Sequence, residues 1–183
     1  MLPSSRHPEE LKKPAQRIGP RARIGTPREA AAFGEVVLVS VPYGTLPEIG
    51  KDCAAELKGK VVLDTCNPYP SRDGDMAIAA REKGTGVADP EFPPGTRSVR
   101  AFNSMPDYAL ASDAHRKGER VAVPLAADDP AALKIAARLV EDAGFEPVVV
   151  GALARAEEFD PGTSVYRKAL TGRELRRGSG MKP

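Results

Sequence analysis

Five short runs rich in valine, separated by segments of helical periodicity, restrict the fold of this chain more than any other feature. The runs lack strict alternation of polar and apolar residues and end in turn residues, which is typical of parallel strands covered on both faces. They are EVVLVSVP (35–42), KVVLDTCNP (60–68), SVRAFNSM (98–105), RVAVPLAADD (120–129) and PVVVG (147–151).

The clearest helix lies between the last two runs, in DDPAALKIAARLVEDAG (128–144). Asp129 is placed to cap its first turn, Pro130 fits its first position and Gly144 follows its end. Strands that alternate with helices predict an α/β fold, a Rossmann-like doubly wound parallel sheet with right-handed crossovers. We expect one such domain over residues 1–151, incomplete at its start, and a short helical segment with a tail over 152–183.

Composition excludes several classes of protein. The 27 Lys and Arg residues nearly balance the 25 Asp and Glu residues, which argues against a nucleic-acid partner. Cys53 and Cys66 lack the spacing of a metal or disulfide site, so we expect core thiols and no metal. No stretch approaches the ~20 apolar residues of a membrane helix, and no signal peptide is visible, so a cytoplasmic protein without a membrane partner is predicted. The basic tail in GRELRRGSGMKP (172–183) predicts a frayed end, and the acidic run from Glu157 to Asp160 a solvated face.

Distinctive residues follow three of the predicted strands: Val41-Pro42-Tyr43, Asn67-Pro68 and Phe102-Asn103-Ser104-Met105. Ligands of open parallel sheets bind beyond the carboxyl ends of the strands. Asn67 and Asn103 at two such ends predict a polar, uncharged rim of a pocket, although an Asn at a strand end can also be simple turn chemistry.

The opening SSRH (4–7) allows two interpretations. A second strand of a dinucleotide fold ends near the adenosine ribose, where Ser5 and Arg6 could hold the 2′-phosphate of NADP and His7 could flank it. Alternatively, Ser4 or Ser5 caps the helix that follows, with Glu9 or Glu10 completing a capping pair.

Taken in order, SSRHPEEL, EVVLVSVPY, KVVLDTCNP, VRAFNSM and GFEPVVVG with LARAEEFD resemble the deazaflavin-dependent NADP oxidoreductase family over nearly the whole chain. The chain is similar, more distantly, to the cytosolic reductase domain of the six-transmembrane metalloreductases. The resemblance implies that Ser5 and Arg6 bind the 2′-phosphate, and that Val41, Pro42, Tyr43, Asn67 and Pro68 line the dinucleotide crevice. The segment Phe102 to Met105 would lie beside the hydride acceptor.

The resemblance also implies a function: hydride transfer between NADP(H) and a small-molecule redox partner, an 8-hydroxy-5-deazaflavin coenzyme or a flavin. No catalytic acid or base is expected, because two stacked rings need orientation more than proton transfer. A homodimer is implied through the segment from ALARAEEFD (152–160) to ELRR (174–177).

The family opens with a strand, a GxGxxG turn and a helix, which this sequence does not show. GTGVAD (84–89) follows a helical pattern and lacks the third glycine, so we expect a chance match in a loop. Without a first strand, the neighbouring strands would expose unpaired edges. A late start, a fragment and a degenerate relative all remain open. The alternative function is therefore a non-catalytic Rossmann-like protein that acts in self-association or partner binding.

Overall fold

The fold is built on a five-stranded sheet in which the strands lie side by side in chain order. The computed structural model describes residues 7–87 and 92–181. The strands are β1 (Val36–Val39), β2 (Val61–Asp64), β3 (Arg97–Ala101), β4 (Ala122–Ala126) and β5 (Glu146–Gly151). Each valine-rich run therefore overlaps one strand, and the predicted α/β, Rossmann-like class is confirmed.

Helices precede, connect and follow these strands. The α-helices are α1 (Lys12–Ile18), α2 (Pro27–Phe33), α3 (Leu46–Asp52), α4 (Ala54–Leu57), α5 (Pro70–Lys83), α6 (Asp107–Ser112), α7 (Pro130–Asp142) and α8 (Gly172–Gly178). Within the described ranges, three 3-10 helices are added at Pro8–Leu11, Tyr43–Thr45 and Leu153–Phe159. Asp129 caps α7 as predicted, because its side chain accepts hydrogen bonds from the backbone N–H groups of Ala131 and Ala132.

The sheet is not parallel throughout. β1, β2 and β3 are parallel, and β4 and β5 are parallel, but β3 and β4 are antiparallel. The connection between them contains only the six-residue α6, about 9 Å long, and it leads back to the edge at which β3 ends. At this edge the backbone N–H of His115 donates to the carbonyl of Gly144, just before β5 begins. We call the edge where β1, β2 and β3 end the carboxyl edge.

Both faces of the sheet are covered. On one face, α6 and α7 pack on β2 to β5, with Val99, Val123 and Val140 fully buried. On the other face, α2 to α5 cover β1 and β2 around Val62. Alternate side chains of the strands thus enter two cores, which is why the valine-rich runs show no polar alternation.

The carboxyl-terminal segment packs on β4 and β5 instead of fraying. Phe159, Val165 and Leu175 are buried there with Val148 and Val150, and Thr171 forms a capping box at the start of α8. The predicted frayed end is thus wrong through Met181, because Leu175 anchors the basic helix. A dimer through this segment stays a prediction. Among the described residues, none of the helices combines the length and the apolar character that crossing a membrane requires.

Candidate functional site

The turns that follow β1, β2 and β3 meet at the carboxyl edge. The backbone N–H of Thr65 donates to the carbonyl of Val39 at 3.0 Å, and that of Val41 donates to the Cys66 sulfur at 3.4 Å. Burial raises the pKa of the Cys66 thiol, so this sulfur is a neutral packing and hydrogen-bonding group. The Val-Pro and Asn-Pro turns are therefore held side by side.

Asn67 and Asn103, predicted from two separate strand ends, contact each other. The Asn67 side-chain amide donates to the Asn103 carbonyl at 2.8 Å. The Asn103 amide donates to Asn67 Oδ1 and to Asp160 Oδ1, each at 3.3 Å. Asn103 Oδ1 is buried and accepts no hydrogen bond within the described part of the chain. The two amides form an uncharged cluster with one acceptor left over.

Two tyrosines cover this amide cluster. Tyr69 follows the Asn-Pro turn, and Tyr166 comes from the loop after the last 3-10 helix. Their hydroxyl groups are hydrogen bonded to each other, and the Asn67 amide donates to the Tyr166 oxygen at 3.2 Å. The loop is fixed by a 2.7 Å hydrogen bond from the Arg167 N–H to the Ser104 carbonyl.

A buried ion-pair network lies beneath the amides. The Arg100 guanidinium contacts Asp64 at 2.6 Å and Asp160 at 3.0 Å, and it also donates to the Cys66 carbonyl. Burial alone would lower the pKa of Arg100, but the two carboxylates raise it. Asp160 is buried and also accepts from the Thr85 hydroxyl, so the prediction of a solvated acidic face is wrong at this residue.

Asp73 connects the turns after β1 and β2. Its carboxylate accepts from the backbone N–H of Gly44 at 3.1 Å and from that of Tyr69 at 3.0 Å, and it pairs with Arg72 at 2.8 Å. Burial alone would raise the pKa of Asp73, but these three hydrogen bonds lower it. The Arg72 guanidinium also lies over the Tyr69 ring, 5.1 Å from its centre, and donates to the Asn67 carbonyl. The rim of the site is therefore rigidly hydrogen bonded.

The other predicted site residues differ in exposure. Pro42 is exposed and Val41 half-buried, whereas Tyr43 is 1% exposed and belongs to the core around Leu46. Pro68, Ser104 and Met105 are buried as well. The prediction that Tyr43 and Met105 contact a ligand has no test in this structure.

Phe102 is half-buried and adopts a positive φ of 61°, a conformation that is strained for an aromatic residue. Its ring meets Phe145 edge to face, 6.3 Å between centroids. The turn after β3 is thus held in a special conformation beside the amide cluster.

At the amino end, His7 is exposed, takes the N-cap position of the first helical turn without a capping hydrogen bond, and lies 3.6 Å from Glu9. Ser5 and Arg6 lie outside the described residues. The two interpretations of SSRH therefore have no test here.

The second glycine of GTGVAD, Gly86, lies at the opposite edge of the sheet. Gly86 and Val87 line a cavity of about 510 Å³ there, with the ion-paired Arg97 and Asp129. A Cβ on Gly86 would lie 1.8 Å from the Leu153 carbonyl oxygen. Glycine is required at this position by close packing, which supports the interpretation as a chance match.

Sequence reasoning missed Arg100, Asp160, Tyr69 and Tyr166. A charged residue inside the apolar run SVRAFNSM signals a buried ion pair, and Arg100 could have been found by it. Tyr166 has no such signal, because its contact with Asn67 spans 99 positions of the chain.

Known structures share this fold. A hypothetical protein from Sinorhizobium meliloti is 26% identical with a TM-score of 0.74, over 91% of this chain and 80% of that one. A protein provisionally named an F420-dependent NADP reductase, from Arthrobacter sp. FB24, is 18% identical with a TM-score of 0.63, over 85% and 76%. A pyrroline-5-carboxylate reductase from Coxiella burnetii is 16% identical with a TM-score of 0.60, over 86% of this chain and 50% of that one.

Among curated proteins, none has significant sequence similarity to the chain. The sequence model of one family, described as NADP oxidoreductase, coenzyme F420-dependent, matches residues 1–68. This match spans Ser5 and Arg6, the Val-Pro turn and the Asn-Pro turn, in the order that the motifs predicted. Over residues 1–68, the chain is therefore similar to the family of coenzyme F420-dependent NADP oxidoreductases.

Proposed function

We propose that the chain is an NADP(H)-dependent oxidoreductase that transfers a hydride between nicotinamide and a deazaflavin. The observation that carries the proposal is the family match over residues 1–68. It includes the Ser-Arg pair and both turns at the carboxyl edge.

The carboxyl edge fits the nicotinamide half of the cofactor. Three parallel strands end there, and open α/β sheets bind nucleotides at such ends. On the side of the two tyrosines, the groups around Asn67 and Asn103 are polar and uncharged. Asn103 Oδ1 is buried and has no hydrogen-bond donor among the described residues. Val41 and Pro42 would contact the dinucleotide, and Asn67 and Pro68 would support it from the next turn.

The opening SSRH supplies the candidate residues for the 2′-phosphate end of the cofactor. Ser5 and Arg6 would hold the 2′-phosphate, because a guanidinium and a hydroxyl together suit a phosphate dianion, with His7 beside them. No glycine-rich turn between a strand and a helix occurs within residues 7–87 and 92–181. In this proposal, the residues named above contact the two ends of the cofactor.

The nicotinamide, when bound, supplies the hydride. The protein's own part is to align the two rings and to exclude water, and the hydrogen bonds of Asp73 and the Asn67–Asn103 pair fix the turns that would do so. Phe102, Asn103, Ser104 and Met105 would line the side on which the acceptor stacks.

Calorimetric titration of the purified chain with NADPH and then with NADH tests the proposal. We expect binding that prefers NADPH and weakens in Arg6→Ala. The matched control is Arg17→Ala, an exposed arginine on α1 that should leave the affinity unchanged. Titration with 8-hydroxy-5-deazariboflavin, followed by loss of its visible absorbance with NADPH, tests the acceptor.

A folded chain that binds neither nucleotide would overturn the proposal. That result would favour the alternative, a Rossmann-like protein without catalysis. Equal affinity for NADPH and NADH would contradict only the role of Ser5 and Arg6 in binding the 2′-phosphate.

A further inference from the structure

The hydroxyl groups of Tyr69 and Tyr166 meet where the turn after β2 and the loop around residue 166 come together. Both tyrosines are half-buried, so part of each side chain is accessible to solvent. Neither residue is used by the family motifs that support the proposed function.

Each ring is held from behind. Asn67 donates to the Tyr166 oxygen at 3.2 Å, and the neighbouring Arg167 N–H donates to Ser104. Arg72 stacks on Tyr69 while bonded to Asp73 and to the Asn67 carbonyl. Groups fixed in this way donate to a ligand without first losing conformational freedom.

The hydrogen bonds around Tyr69 and Tyr166 use only one of their two hydroxyl protons. Two phenols carry two hydroxyl protons. One proton lies in the bond between the tyrosines, and the Asn67 amide is a donor that cannot accept the other. Within the described ranges, neither hydroxyl has any other hydrogen-bond partner. The second proton is therefore available to an acceptor outside these residues, either solvent or a bound ligand.

Burial, and then the hydrogen bond with Tyr69, raise the pKa of Tyr166. The Tyr166 hydroxyl thus remains protonated at neutral pH and can donate to an acceptor oxygen of a ligand.

We infer that the Tyr69–Tyr166 pair donates its second hydroxyl proton in a hydrogen bond to a carbonyl oxygen of a ring system bound at the carboxyl edge. The inference rests on the proposed function and deepens it. Two sources carry this chemistry: the carboxamide of the nicotinamide and a carbonyl of the hydride acceptor. The tyrosines are positioning residues in either case, since they orient a ring and take no part in the hydride transfer.

The test compares Tyr69→Phe, Tyr166→Phe and the double variant with wild type and with the control Tyr108→Phe. Tyr108 is 63% exposed on α6, so its variant should behave as wild type. Thermal unfolding confirms that each variant is folded. Binding constants are measured by calorimetry for NADP⁺, for its thionicotinamide analogue, whose sulfur is a weaker acceptor, and for 8-hydroxy-5-deazariboflavin.

We expect the double variant to lose about two- to twelvefold in affinity for the ligand that the pair contacts, the range for one neutral hydrogen bond. If that ligand is NADP⁺, wild type prefers it to the thio analogue and the double variant does not. If it is the deazaflavin, only the deazaflavin affinity falls.

Unchanged affinities for all three ligands in the folded double variant would overturn the inference while leaving the proposed function intact. If wild type does not bind NADP⁺, the proposed function is refuted. The inference about the tyrosines is then decided by the deazaflavin titration. A wild type that binds none of the probes overturns both.

Discussion

Asp64 and Arg100 form an ion pair between neighbouring parallel strands, with Oδ2 and Nη1 2.6 Å apart and both side chains almost fully buried. Asp64 also accepts a 2.8 Å hydrogen bond from the Cys66 backbone, and Arg100 continues to Asp160. The pair connects the core of the sheet to the turn that carries Asn67. Its loss should therefore affect both stability and the site.

Asp64→Ala should lower the free energy of unfolding by about 3–5 kcal/mol, because it leaves the Arg100 charge buried with one partner fewer. Urea unfolding of the variant and wild type measures the difference. Asp75→Ala, at an exposed position on α5, is the control and should change little. A loss in Asp64→Ala as small as that of the control would show that the network relaxes or admits water.

Asp129→Asn should destabilise the chain at neutral pH and have no effect in strong acid. The hydrogen bond from Arg97, and then the backbone N–H groups of α7, lower the pKa of Asp129 from 3.8 to about 2. A lowered pKa stabilises the fold above the unfolded pKa, and this contribution is lost as the pH falls from about 4 to about 2.

Urea unfolding across that pH range checks the sign. Asp142→Asn, at the exposed end of the same helix, is the control. A difference between wild type and Asp129→Asn that stays constant down to pH 2 would contradict the assignment.

Gly86→Ala should destabilise the chain by about 1–3 kcal/mol, the usual range for overpacking. The new methyl group would overlap the Leu153 carbonyl oxygen and displace the last 3-10 helix. Val87→Ala, with a side chain 61% exposed, should have a small effect. If GTGVAD bound a phosphate, Gly86→Ala would weaken NADPH binding more than it lowers stability, so calorimetry at a temperature where the variant is folded separates the two roles.

Cys53 and Cys66 should resist a thiol reagent in the native state. Both are buried, and burial raises the pKa of each thiol, which reduces the reactive thiolate. Titration with Ellman's reagent in buffer should give almost no reaction, and titration in concentrated urea should detect both thiols. Fast reaction of one thiol in buffer would mean that the turn after β2 opens readily.

The periodic features of the sequence predicted most of the fold. The valine-rich runs located the strands, and Asp129 with Gly144 bounded α7. The prediction that β3 and β4 are parallel was wrong, because a buried strand has the same apolar pattern in either direction. Helical periodicity did not show that α6 is too short to cross the sheet.

The contact between Asn67 and Asn103 was predictable from the sequence, and the position of Tyr166 over them was not. Asn67 and Asn103 each follow a recognisable strand, and the rule that parallel strands end at one edge brings them together. Tyr166 lies in a loop with no periodic pattern, and only the folded chain places it over Asn67. Ser5 and Arg6 stay predictions.

The hydrogen bond between Asn67 and Tyr166 also sets an order of events during synthesis. A ribosome makes the chain from its amino end, and domains begin to fold as they emerge. The strands that carry Asn67 and Asn103 leave the ribosome well before the loop that covers them, 99 positions after Asn67. Until that loop emerges, Arg100 has Asp64 but lacks Asp160. The nascent chain therefore cannot complete the carboxyl edge until the residues up to Tyr166 have emerged.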